Sequence, residues 1–134
     1  MRMVPWIFFG GAIGASVRYL AILSLPAELK TGFPWPTVLI NLSGSLIIGF
    51  LWAAFEKHRI SENLRNFIFI AILGSFTTFS TFSNETAQLL RELQYGAVLL
   101  NIALHSGLGI LLAFTGYVFG IKLVFRLPQQ NNNE

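Results

Sequence analysis

Cysteine is absent from the 134 residues, and so is aspartate. Without cysteine there is neither a disulfide nor a thiolate metal site. All six acids are glutamate, and charged residues make up 11% of the chain, against roughly 25% in an ordinary soluble domain. The two histidines, His58 and His105, are far apart and offer no zinc-ligand spacing. The net charge is +3, but the basic residues are scattered and form no nucleic-acid-binding stripe.

Hydrophobic residues, at 54% of the chain, dominate what is there. Four segments reach the roughly 20 apolar residues that a helix needs to cross a bilayer: Val4–Leu25, Thr37–Phe55, Leu64–Leu90 and Tyr95–Phe125. Arg2 ahead of Val4–Phe9 has the outline of a signal peptide. The apolar character continues to Leu25, however, Arg18 lies inside it, and no small-x-small pattern ends it, so a retained span is expected.

The connections are short. Pro26–Pro36 has three prolines and one glycine and reads as a loop, with Pro36 placed to pre-set the first turn of the second helix. Glu56–Leu64 is rich in charge and reads as a solvated loop, with Ser61 positioned to cap the third helix. Arg91–Gly96 joins the third and fourth spans. Residues 1–126 form a single four-helix transmembrane domain on this reading, and 127–134 a polar, disordered tail. Four spans put both ends on one side. That side carries Arg2, Lys57, Arg59, Arg65, Lys122 and Arg126, the other Lys30 and Arg91, which favours cytoplasmic termini. Gly10-x-x-x-Gly14, Gly116-x-x-x-Gly120 and the stripe Ser43, Gly44, Ser45, Gly49 mark close helix packing.

Strongly polar groups inside spans cost about 2.5–3.5 kcal/mol each on insertion scales. Arg18, in span one, is either an interfacial anchor or a positive charge near an anion vestibule. Asn41 shares a face with Thr37 and Ser45 and either bonds another helix or lines a wet path. Asn101 and His105 make an i, i+4 pair in span four. Glu85, the one acid inside any span, is either a dipole partner for a resumed helix or an acceptor in a pathway. One carboxylate and one histidine in the spans leave no paired acids and no recognisable triad, so an enzyme is not expected.

The stretch "GSFTTFSTFSNET" (Gly74–Thr86) interrupts span three with hydroxyls. It reads either as a continuous helix with a phenylalanine face beside a hydroxyl face, or as a break. Gly74-Ser75 and Thr77-Thr78 are weak helix formers. A break at membrane depth is tolerated only where the backbone is buried in protein or lines a wet cavity.

This stretch, with "GGAIGASVRY" (Gly10–Tyr19) and "PTVLINLSGSLIIG" (Pro36–Gly49), resembles the CrcB/Fluc fluoride channels over about residues 5–125, in order and with the family's spacing. The resemblance implies an all-α membrane protein with the third helix broken mid-membrane, assembled as an antiparallel, dual-topology homodimer with two pores. It implies a passive fluoride-selective channel of the bacterial inner membrane that relieves fluoride toxicity, with no organic cofactor. Backbone carbonyls of Gly74 and Thr77 would hold a structural Na⁺ at the dimer centre. Asn41, Phe79, Ser80, Thr81, Phe82 and Ser83 would line the fluoride path. Arg18 would match a vestibule arginine, and Thr37, Glu85 and His105 a polar cluster near one pore end, His105 standing where relatives often have tyrosine. Many relatives carry Gly-Gly where this chain has Gly74-Ser75.

The chemistry is coherent. Fluoride holds water tightly, so a pore must replace that shell with donors, which Ser, Thr and Asn supply. Phenyl edges carry the positive part of the ring quadrupole, and the absence of Lys and Arg from the stretch favours passage over capture. One alternative is a small four-helix multidrug exporter, whose class relies on a glutamate in span one, where this chain has Arg18 and no acid. Others are one subunit of an obligate heterodimeric fluoride channel and a non-transporting helical subunit.

Overall fold

The computed structural model describes residues 3–58 and 60–126, and these are helical with no strand among them. The first helix, α1, spans Val4–Ser24 with a proline in its first turn. Its C-terminal carbonyls are met by Lys30, whose Nζ donates to the Leu23 carbonyl at 3.0 Å. A 3₁₀ turn, Ala27–Lys30, and the left-handed Gly32 (φ 76°) carry the chain into the second helix, α2, Trp35–Lys57. Pro36 lies in its first turn, as the sequence predicts.

The third span is composite. It consists of α3 (Glu62–Asn66), a π-helical segment π1 (Phe67–Leu73), α4 (Gly74–Phe76) and α5 (Phe79–Arg91). Ser61 caps it, its hydroxyl accepting from the Leu64 N–H at 3.4 Å. The fourth span comprises α6 (Tyr95–Ile102), a second π-helical segment π2 (Ala103–Leu108) and α7 (Gly109–Arg126).

Apolar runs long enough to cross a membrane are Val4–Ser24, Trp35–Lys57, Glu62–Arg91 and Tyr95–Leu123. They match the four predicted segments, with corrected ends. Glu56 and Lys57 belong to α2 and Glu62 to α3, so the predicted loop Glu56–Leu64 is shorter at both ends. Arg91 and Tyr95 are also helical. The turn between them closes with Leu93 at φ 59° and Gln94 N–H donating to the Leu89 carbonyl at 3.0 Å. The predicted tail 127–134 lies outside the described residues.

Small residues decide which helices meet. α2 and α7 approach so closely that a Cβ on Gly49 would collide with the Ala113 carbonyl, and one on Gly116 with the Leu46 carbonyl. Gly120 faces Phe50 and Ala53 in the same seam. On the other side, Gly10 and Gly14 of α1 lie against Phe67, Ala71 and the Ile72 carbonyl of π1. With no hydrophobic drive between helices in lipid, such close backbone contact supplies the packing energy. Large apolar side chains point outward instead, among them Phe8, Leu99 and Ile110.

A hydroxyl-rich groove at the third span

Between α4 and α5 two residues leave helical geometry. Thr77 has φ −86°, ψ 158° and Thr78 has φ −151°, ψ 117°. Thr78 then caps α5, its hydroxyl accepting from the Thr81 N–H at 3.2 Å, as a threonine does well before a helix. The Thr78 hydroxyl also lies 3.1 Å from those of Ser80 and Thr81.

Asn41 of α2 holds this interruption. Its Nδ2 donates to the Thr78 carbonyl at 3.0 Å, and the Thr78 N–H donates to its Oδ1 at 2.8 Å. One carboxamide thus satisfies both backbone groups that the helix has given up, which would be costly if left unpaired. Close approach is permitted by Gly44, where a Cβ would strike the Thr77 methyl.

The same bonds bear on the carbonyls of Gly74 and Thr77. In a continuous helix they would accept from the N–H groups of Thr78 and Thr81. The first of those is given to Asn41 and the second to the Thr78 hydroxyl. Both carbonyls therefore fall outside the helix ladder, and both residues line an open groove of about 300 Å³.

That groove also brings together Asn41, Ser45, Phe79, Phe82 and His105. The Phe79 and Phe82 rings lie 5.5 Å apart at 52°. Phe82 in turn lies 4.4 Å from the His105 ring at 36°. Phe79 is 78% exposed, an unusual setting for a phenyl ring unless lipid or another chain covers it.

The other predicted residues fall in three places. Ser80 and Thr81 stand beside Thr78 as described, while Ser83 spends its hydroxyl proton on the Phe79 carbonyl at 2.9 Å. Thr37, 5% exposed, donates to Glu85 Oε1 at 2.5 Å. Glu85 lies beyond the first turn of α5, so the dipole reading fails, because that effect is confined to the terminal turn. Among the described residues His105 has no hydrogen bond to this pair: it packs on Phe82, and its Nδ1 lies 3.0 Å from the Asn101 backbone carbonyl. Arg18 is half-buried on α1 and does not line the groove.

Three buried atoms find no protein partner among the described residues: Glu85 Oε2, Asn101 Oδ1 and His105 Nε2. In the sequence Thr78 stands out only as a weak helix former, although a threonine one residue ahead of a resuming helix is a capping signal. Thr86, which bonds Asn101, carried no signal beyond its hydroxyl.

Residues 5–117 match the family described as CrcB-like protein, Camphor Resistance (CrcB), and the chain belongs to that family. Similar curated proteins share one name, Fluoride-specific ion channel FluC. That of Magnetococcus marinus is 40% identical over 118 residues, covering 87% of this chain and 96% of its own. That of Parabacteroides distasonis is 34% identical over 124 residues, covering 92% and 97%. That of Flavobacterium psychrophilum is 36% identical over 124 residues, covering 92% and 100%. With four apolar helices of spanning length, the chain is a multi-pass protein of the bacterial inner membrane and not an enzyme.

Proposed function

We propose that the protein is a fluoride-selective passive channel that lets F⁻ leave the cell. The observation that carries this reading is the groove in which Asn41, the Thr78 hydroxyl cluster and the Phe79 and Phe82 rings meet at an interrupted span. Hydroxyls and phenyl edges can replace the water of a small anion without a full positive charge to trap it. The curated relatives named as fluoride-specific channels support the same reading. Negative membrane potential supplies the outward drive, since acid admits neutral HF that dissociates inside.

The finer features follow from the family resemblance. The interruption at Thr77–Thr78 lies at membrane depth and forms part of the conduction path. A second, antiparallel copy covers the exposed Phe79, and the dimer carries two pores. Gly74 and Thr77 offer carbonyls outside the helix ladder, which suits a Na⁺ held by backbone oxygens from both subunits. Such an ion would fix the crossing of the two interruptions electrostatically. Asn41, Phe79, Ser80, Thr81, Phe82 and Ser83 border the path, with Ser83 contributing an oxygen whose proton is already engaged. Arg18, Thr37, Glu85 and His105 serve its ends.

A multidrug exporter is disfavoured because α1 bears Arg18 and no acid. The decisive experiment is ion efflux from liposomes containing the pure protein. Fluoride release without chloride release is expected, and equal flux of both ions, or of neither, overturns the reading. Chemical crosslinking of a singly tagged preparation separates a homodimer from an obligate heterodimer: crosslinked dimers of this chain alone are expected.

A further inference from the structure

Phe82, Thr86, Asn101 and His105 close a circuit between the third and fourth spans. The Thr86 hydroxyl donates to the Phe82 carbonyl at 2.7 Å and accepts from Asn101 Nδ2 at 3.0 Å. His105 Nδ1 lies 3.0 Å from the Asn101 carbonyl. A carbonyl only accepts, so the imidazole proton sits on Nδ1. The His105 ring then returns to Phe82 at 4.4 Å.

Asn101 is 0% exposed. A buried amide is costly where its groups are not all paired, and here Oδ1 has no partner among the described residues. An apolar side chain would be the better choice for burial alone. The arm that is used is the donor, Nδ2, and its direction is not free. The single proton of Thr86 is spent on Phe82, so Asn101 must donate to Thr86. His105, on the next turn, lies in the π-helical segment Ala103–Leu108, a rare geometry found mostly at functional positions.

We propose that Asn101 is a positioning residue for the Phe82 ring, and that through Thr86, beside a histidine held by its backbone carbonyl, it sets how sharply the channel separates fluoride from chloride. The proposal rests on the fluoride-channel reading above. A phenyl ring attracts an anion at its edge and repels it at its face, so the ring's plane matters as much as its presence. Phe82 is held between Phe79 and a histidine that is itself hydrogen-bonded. Phe79 has 78% of its surface exposed. Phe82 is therefore the ring whose orientation this chain fixes by itself.

The test uses the full chain in liposomes, with Asn101→Leu and, separately, Thr86→Val. Each removes the Asn101–Thr86 bond and leaves the Asn101 carbonyl in place for His105. Each is expected to narrow the fluoride-to-chloride flux ratio about tenfold, the effect of one neutral hydrogen bond at the upper end of its range. The double variant is expected to be no worse than Thr86→Val alone, which already cuts the bond from Asn101 and the bond to the Phe82 carbonyl. Deuterium NMR of ring-labelled Phe82 gives a readout independent of transport, with faster ring flips expected in both variants. An unchanged ratio and unchanged ring flips in Thr86→Val overturn the positioning role, even if Asn101→Leu fails to fold. Effects that multiply in the double variant also overturn it. A wild-type protein that passes no fluoride overturns the channel reading instead, and this inference with it.

Discussion

The carboxamide of Asn41 grips Thr78 at both ends of its backbone, donating to the carbonyl at 3.0 Å and accepting from the N–H at 2.8 Å. A side chain on one helix thereby replaces the hydrogen bonds that another helix has surrendered. The interruption of the third span is thus a satisfied structure rather than a frayed one.

Replacing Asn41 with leucine strips both bonds and leaves two backbone groups unpaired, at about 1–3 kcal/mol each. Asn41→Asp keeps the acceptor for the Thr78 N–H and loses the donor. Melting in detergent is therefore expected to fall in the order wild type, Asp, Leu, with fluoride flux following the same order. A leucine variant with wild-type melting and flux would show that the interruption holds without Asn41.

The two rings give a second prediction. Phe79→Ile and Phe82→Ile keep apolar bulk but remove the polarised edge, and each is expected to lower fluoride efflux at least tenfold. Size-exclusion chromatography is expected to show an unchanged assembly. Full flux in both variants removes the rings from the ion path.

Thr37 donates to Glu85 across the spans, a hydrogen bond worth about 0.5–1.5 kcal/mol. Thr37 is buried and Glu85 half-buried, which places the expected loss in Thr37→Val at the lower end. Glu85→Gln keeps an acceptor for Thr37 and is expected to melt closer to wild type. Equal melting of wild type and Thr37→Val would mean the bond contributes nothing to stability.

Glycines in the seam and in the open should respond oppositely. A Cβ at Gly49 meets the Ala113 carbonyl, whereas one at Gly96 meets nothing within 4 Å. Gly49→Ala is expected to destabilise by about 1–3 kcal/mol through overpacking. Gly96→Ala, in the first turn of α6, is expected to be neutral or to stabilise by up to about 1 kcal/mol. Thermal melting of the two variants side by side decides the matter, and a Gly49→Ala protein as stable as wild type would contradict the close seam.

Four spans, their order, the short connections and the Ser61 cap were legible in the chain, because hydropathy, proline and capping preference act locally. The small-residue motifs were legible too, but not their partners. That Gly116 faces Leu46 while Gly14 faces Ile72 depends on which helices pack together, which no single segment encodes. The residues of Gly74–Thr86 allow a continuous helix or a break and favour the break. What the chain alone could not show is the partner of the two non-helical residues Thr77 and Thr78: Asn41 supplies a donor and an acceptor to Thr78, and backbone groups can leave a helix only where such partners stand ready. The position of Glu85 shows the same limit: adjacency to the hydroxyl stretch suggests a helix dipole, whereas its actual partner, Thr37, lies 48 residues earlier, in the second span. Composition and periodicity determined that this chain lives in a membrane with an unusual hydroxyl stretch. Only the folded arrangement decided which polar group answers which, because each such group, removed from water, must find its partner across the bundle.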